Sequence, residues 1–174
     1  MTVDDQEATF QQWIRNHLGI MVKVVRSFAE VSADQEDLLQ NVFVNLWSSI
    51  PGFRGDSKES TWIYRVSLQT AMVWRRGERV RKKHHSKYLN EIAVAAQSSA
   101  DVSCHTSELI EQLYSEIRQL PKIDASIALM HLDGIAYRDI AEVLGISENY
   151  VGVKLSRIRK ELNERLGGTK RWRH

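Results

Sequence analysis

The chain has 174 residues, 43% of them hydrophobic, and a formal net charge of +2, enough for one ordinary core or two small ones. Its apolar runs fall far short of the ~20 residues of a membrane-spanning helix, and the opening MTVDDQEATF is acidic where a secretory signal is basic and then apolar. One cysteine, Cys104, cannot form an internal disulfide, so the expected location is a reducing one, the cytoplasm.

Phe10, Trp13, Ile14, Leu18, Met21, Val24, Val25 and Phe28 recur at three- and four-residue steps and predict a first helix with one apolar stripe. Ser32 followed by Gln35 has the form of a capping box. After it Leu38, Leu39, Val42, Phe43, Leu46, Trp47 and Ile50 mark a second helix that Pro51-Gly52 ends. FRGDSKES then reads as a loop, with Ser60 or Thr61 as the cap of a third helix. That helix, STWIYRVSLQTAMVWRRGERVRKKHH, mixes flat rings with arginines and runs into a nearly pure cationic tail. No alternating strand pattern competes with these readings.

From Glu91 to Ser107 the chain is rich in Ala and Ser and has no sustained apolar period, as a linker does. Beyond it four short helices are predicted. Leu109, Ile110, Leu113, Ile117 and Leu120 precede Pro121, and Ile123, Ile127 and Met130 precede HLDG; Ile140, Ala141 and Leu144 precede Gly145, and Val151, Leu155, Ile158, Leu162 and Leu166 form the last stripe. The predicted class is all-α: two small helical domains, 1–87 and 108–174, joined by a flexible linker at 88–107.

Charge is distributed unevenly along this plan. Arg75 to Lys87 holds seven Lys/Arg against one Glu, and Lys154 to His174 holds eight against two, whereas Tyr88 to Gln112 has no Lys or Arg and carries Glu91, Asp101, Glu108 and Glu111. A single basic run is ordinarily a solvated face. Two, each beside a structured motif, favour a polyanion.

The last helix pair, YRDIAEVLGISENYVGVKLSRIRKEL, has helix-turn-helix spacing: a small Ala141 at the crossing, Gly145 four residues later where a left-handed residue is favoured, and Val151 and Leu155 inward on the next helix. Short antiparallel helices of this pattern also occur in structural bundles. With the apolar stripe inward, Asn149, Val153, Ser156 and Lys160 face outward, flanked by Tyr150, Lys154 and Arg157, which is the face that would enter a major groove. Enzymatic readings fare poorly. There is no GxxxxGK[ST] loop, and the adjacent pairs Cys104-His105 and His84-His85 lack zinc-site spacing, so neither catalysis, a metal nor another cofactor is expected.

DQEDLLQNVFVNLWSSIPGFRGDSKESTWIYRVSLQTAMVWRR resembles region 2 of bacterial sigma factors of the extracytoplasmic-function (ECF) group in the sigma-70 family, and LPKIDASIALMHLDGIAYRDIAEVLGISENYVGVKLSRIRKEL resembles their region 4. The resemblance implies a non-enzymatic alternative sigma factor whose partners are core RNA polymerase, double-stranded and opened promoter DNA, and a cognate anti-sigma protein, without membrane insertion. It assigns polymerase binding to Asp37, Leu38, Gln40, Asn41, Phe43 and Trp47. It assigns the minus-ten element to Arg54, Ser57, Lys58, Trp62, Tyr64, Arg65, Gln69, Arg75 and Arg76, and the minus-thirty-five element to Asn149, Tyr150, Val153, Lys154, Ser156, Arg157 and Lys160. The acidic linker would occupy a basic channel of polymerase, or serve only as a tether.

The chain departs from the family's pattern at several of these positions. Gln40-Asn41 stands where Gln-Glu is frequent, Gln69 where Asn is, and Gly152-Val153 where a cation and a small polar residue commonly face the groove. Promoter sequence therefore does not transfer from relatives. Two alternatives stay open at this point: a helix-turn-helix regulator acting on duplex DNA without polymerase, and a protein-interaction adaptor.

Overall fold

A computed structural model describes residues 2–85 and 105–165, which contain seven α-helices and one 3-10 turn and no strand. The helices are α1 (Val3–Phe28), α2 (Ser32–Ser49), α3 (Glu59–His85), α4 (His105–Gln119), α5 (Lys122–Leu132), α6 (Tyr137–Leu144) and α7 (Glu148–Arg165). Ile50–Gly52 forms the 3-10 turn after α2, with Pro51 supplying its fixed φ. All but three residues of the expected linker, 88–107, lie outside the described residues; His105, Thr106 and Ser107 already belong to α4.

Helix starts differ from expectation in an instructive way. The capping box is at Thr2 and Asp5, where the Thr2 hydroxyl accepts from the Asp5 amide and the Asp5 carboxylate accepts from the Thr2 amide, which holds the Asp5 carboxyl below its usual range. Ser32 and Gln35 form no such box, because α2 begins at Ser32 itself with Val31 as its cap. Gln35 instead reaches back to the carbonyls of Ala29 and Glu30. Ser60 and Thr61 likewise fall inside the first turn of α3 rather than before it.

α1, α2 and α3 pack on one another around Trp13, Met21, Leu38, Val42, Leu46, Ile63 and Leu68. Ile117, Ile127, Met130, Ile140, Val151, Leu155, Ile158 and Leu162 fill the corresponding space among α4 to α7. Some expected core positions are exposed: Leu18 lies one residue out of phase with the buried row through Trp13 and Met21, and Leu109, Ile110 and Ile123 face outward. Leu166 lies outside the described residues.

The two halves are packed together. α1 lies against α4 and α5, α3 lies against α5 and α6, and the buried side chains of both halves make one continuous cluster. The apolar stripes predict each half's own helices. They do not predict this join, in which ion pairs and hydrogen bonds accompany the shared apolar cluster.

Candidate nucleic-acid and polymerase interfaces

The α6–α7 pair is set by Gly145, whose φ of +67° makes the left-handed turn that ends α6 while its amide bonds the Ala141 carbonyl. Ile146 returns a second bond to the same carbonyl, and Val151, Leu155, Ile158 and Leu162 bury the inner face of α7. Asn149, Tyr150, Val153, Ser156, Arg157 and Lys160 are consequently exposed, with Val153 44% accessible. Gly152 stands beside the Tyr137 ring.

Lys154 departs from its expected role. Its ammonium lies 3.0 Å from Oδ1 and 3.1 Å from Oδ2 of the nearly buried Asp124 on α5, and 5.6 Å from the centre of the Tyr150 ring. The hydrogen bond it donates to Asp124 raises the lysine's pKa, and the ion pair holds the cation on the protein instead of offering it to a phosphate. Arg159 is similarly turned inward, its guanidinium 2.7 Å from Nε2 of His131. Arg157, by contrast, is exposed and has no hydrogen bond or ion pair to any described residue.

On α3 the aromatic residues sort into different environments. Trp62 ends a row of rings, Trp13 to Phe53 at 5.2 Å and Phe53 to Trp62 at 5.6 Å, and its indole N–H donates to the Ser49 hydroxyl at 3.1 Å. It remains half-buried, with the Arg65 guanidinium 5.9 Å from its centre. Tyr64, expected on the DNA face, is fully buried because it shares a helical phase with Leu68 and Ala71. Its hydroxyl donates to Asp133 in the α5–α6 turn, and burial together with that bond pushes the phenol's pKa far up.

The remaining residues of that face are divided between solvent and the other half of the chain. Arg54, Lys58, Gln69 and Arg76 are exposed and Ser57 is half-buried. Arg65 pairs with Glu142 of α6 at 3.0 Å, and Arg75 donates to the Arg118 carbonyl at 3.0 Å. Gln69 shares a groove of about 490 Å³ with Asn41, Asn45, Thr70 and Trp74.

On α2, Asp37, Gln40 and Asn41 are exposed, but Leu38 is wholly buried in the row with Val42 and Leu46 and offers nothing to a partner. Phe43 and Trp47 are half-buried, edge-on to Phe10 of α1 at 6.2 and 5.4 Å. Val44 and Asn45 extend the exposed face and were legible from helical phase, lying four residues after Gln40 and Asn41. No helix among the described residues is long and apolar enough to cross a membrane, and no group of three or more His, Cys, Asp or Glu among them is placed to hold a metal ion.

Comparison with known proteins matches these same blocks. Sigma-70 region 2 matches residues 13–81, and Sigma-70, region 4 matches residues 110–162. The chain is 27% identical over 146 residues to the ECF RNA polymerase sigma-E factor of Haemophilus influenzae, covering 76% of this chain and 75% of that one. To the RNA polymerase sigma-H factor of Pseudomonas aeruginosa it is 26% identical over 157 residues, covering 86% and 79%. The structure of sigma factor RpoE with the anti-sigma factor NepR from Bartonella quintana shares the fold at a TM-score of 0.70 and 19% identity, covering 93% of this chain and 99% of that one. CnrH in complex with the cytosolic domain of CnrY shares it at a TM-score of 0.66 and 19% identity, covering 94% and 91%. Region 2 and region 4 in this order, on an all-helical frame with relatives named as ECF factors, identify the chain as a member of the sigma-70 family, an alternative sigma factor of the ECF type that directs transcription initiation.

Proposed function

We propose that the three exposed faces divide the work of initiation among themselves. Asp37, Gln40 and Asn41 on α2, with Val44 beside them, dock core RNA polymerase. The loop bearing Arg54, Ser57 and Lys58, continued by Trp62, Arg65, Gln69, Arg75 and Arg76 on α3, receives the opened minus-ten strand. Asn149, Tyr150, Val153, Ser156, Arg157 and Lys160 on α7 read the minus-thirty-five duplex. The working domains are 1–87 and 108–174. The chain itself carries no catalysis; it acts in the cytoplasm on an enzyme supplied by its partner.

The observation that carries this reading is the two-sided character of α7, whose apolar stripe is buried while its polar face, Arg157 included, stands open beyond the Gly145 turn. That is the geometry a major groove accepts. Because RpoE and CnrH were solved with NepR and CnrY respectively, a protein inhibitor of the same kind is proposed here as well.

Addition of the purified chain to core polymerase, followed by transcription from a genomic promoter library, tests the reading. Specific initiation supports it. Duplex binding without initiation would favour a regulator that acts without polymerase, and neither activity would favour an adaptor. Asp37→Lys with Gln40→Ala should weaken core binding while helical content is unchanged; an unaltered affinity removes this face from the account.

A further inference from the structure

The outward face of α7 offers less charge than its sequence suggests. Two of the four cations from Lys154 to Lys160 are held by the protein, Lys154 at 3.0 Å from Asp124 and Arg159 at 2.7 Å from His131. Near the middle of that face stands an apolar pair instead. Val153 is 44% exposed, and Tyr150, three residues earlier and so on the same side of the helix, is 43% exposed. Both lie in the first two turns of α7, the part of a recognition helix that meets base edges.

An exposed valine is a poor choice for helix stability, because branching at Cβ ranks it below Ala or Lys. The same branching holds it in one dominant rotamer, so its γ-methyls are oriented before any partner arrives. Gly152 has no side chain to overreach it. Helical side chains lean toward the N-terminus, which brings Val153 over the turn that bears Tyr150. The Tyr150 ring lies 5.6 Å from the Lys154 ammonium and is tied through it to Asp124 on α5. The pair is therefore a preset apolar surface, with the exposed Asn149, Ser156 and Arg157 around it.

Among the base edges of the major groove only thymine offers an apolar group, its C5 methyl. We propose that Val153, walled by Tyr150, reads that methyl, so that the minus-thirty-five duplex this chain prefers places a thymine beneath Val153 while Asn149 and Arg157 contact polar edges beside it. This contact rests on the proposed role of α7 as the duplex-reading face. Burying one methyl is worth about fourfold in affinity and, unlike a phosphate contact, is insensitive to salt.

Deoxyuridine pairs with adenine as thymidine does and lacks only the methyl. The full chain is used to select from a randomised, fluorescein-labelled duplex pool, and the selected duplex is remade with deoxyuridine in place of thymidine at one position at a time. At one position the replacement should weaken binding about fourfold at both low and high salt. Val153→Ala should weaken the thymine duplex by about the same factor and bind the two duplexes equally, and Tyr150→Ala should reduce the ratio between them. The DNA arm needs no protein variant, so a folding defect cannot mimic its result. Deoxyuridine that costs nothing at any position overturns the proposal, as does a cost that Val153→Ala leaves intact, and so does a pool that yields no preferred duplex. Asn149→Ala and Arg157→Ala then say how far the failure reaches: weaker duplex binding keeps α7 as the DNA face and removes only the methyl contact, while unchanged binding removes α7 as well and leaves Val153 and Tyr150 to a protein partner.

Discussion

Tyr64 of α3 donates its buried hydroxyl to Asp133, a residue of the turn between α5 and α6 on the other half of the chain. The same carboxylate receives Lys23 from α1, so one acid ties two region 2 helices to region 4. Removing the hydroxyl alone leaves the ring in place and Asp133 still paired. Tyr64→Phe should therefore cost about 1 to 2 kcal/mol, near the range for a hydrogen bond to a charged group, without loss of helical signal. Urea unfolding measures it, and a cost near zero would show that the hydroxyl is as well served by water.

Trp62 has both a structural anchor and a half-exposed ring, and two substitutions separate them. Trp62→Phe loses the bond to Ser49 but keeps an aromatic face, so it should cost about 1 kcal/mol of stability and retain promoter opening. Trp62→Ala empties the end of the ring row and should cost about 2 to 3 kcal/mol while also reducing permanganate reactivity of unpaired thymines, since a stacked base gains about 1 to 3 kcal/mol from the ring. Normal opening by a folded Trp62→Ala chain would leave the residue purely structural.

What the sequence made legible was local. Ala141, Gly145 and the Val151–Leu155 spacing announced the α6–α7 turn because a left-handed residue and a small crossing residue are required within a few positions of one another. Tyr64 was misplaced for the opposite reason. Its phase with Leu68 and Ala71 turns the ring inward, but the partner of its hydroxyl, Asp133, lies far away in the chain, and an amphipathic ring beside arginines reads identically whether its polar tip meets DNA or a carboxylate of the same protein. Lys154 failed likewise, because Asp124 lies on a helix whose face toward α7 no periodicity specifies.

Lys154 and Arg157 should accordingly fail in different ways. Lys154→Ala strands the nearly buried Asp124 and should lower stability by about 1 to 3 kcal/mol, with little change in the salt dependence of duplex binding. Arg157→Ala should leave stability within about 0.5 kcal/mol, as expected of an exposed site. It should weaken duplex binding by about 1 to 3 kcal/mol if it reads a guanine edge. A loss that is uniform across sequences and comes with a shallower salt slope would assign it to a phosphate instead.

Gly152 is a helical glycine whose position needs no special backbone. A methyl there would meet Cε2 of Tyr137 at 3.8 Å, an ordinary contact, so Gly152→Ala should raise stability by about 0.5 to 1 kcal/mol. If DNA binding falls while stability rises, the glycine serves close approach of α7 to the duplex.

His131 gives the fold a pH dependence of definite sign. Burial holds its pKa below the ordinary imidazole value, and the Arg159 guanidinium beside Nε2 adds to the effect, while the Tyr137 ring stands edge-on at 5.8 Å. With the folded pKa depressed, the unfolded chain binds more protons in the interval between the two values, so this group's contribution is present above an unfolded pKa of about 6.5 and is lost as pH falls through the folded value. The protein should melt lower at about pH 5.5 than at about pH 7.5, an interval that lies above the usual carboxylate range. His131→Gln keeps an amide oxygen within reach of Arg159 and carries no proton to gain, so its melting temperature should change less over the same interval. An equally steep dependence in that variant would move the acid sensitivity to other groups and leave His131 as an uncharged packing residue.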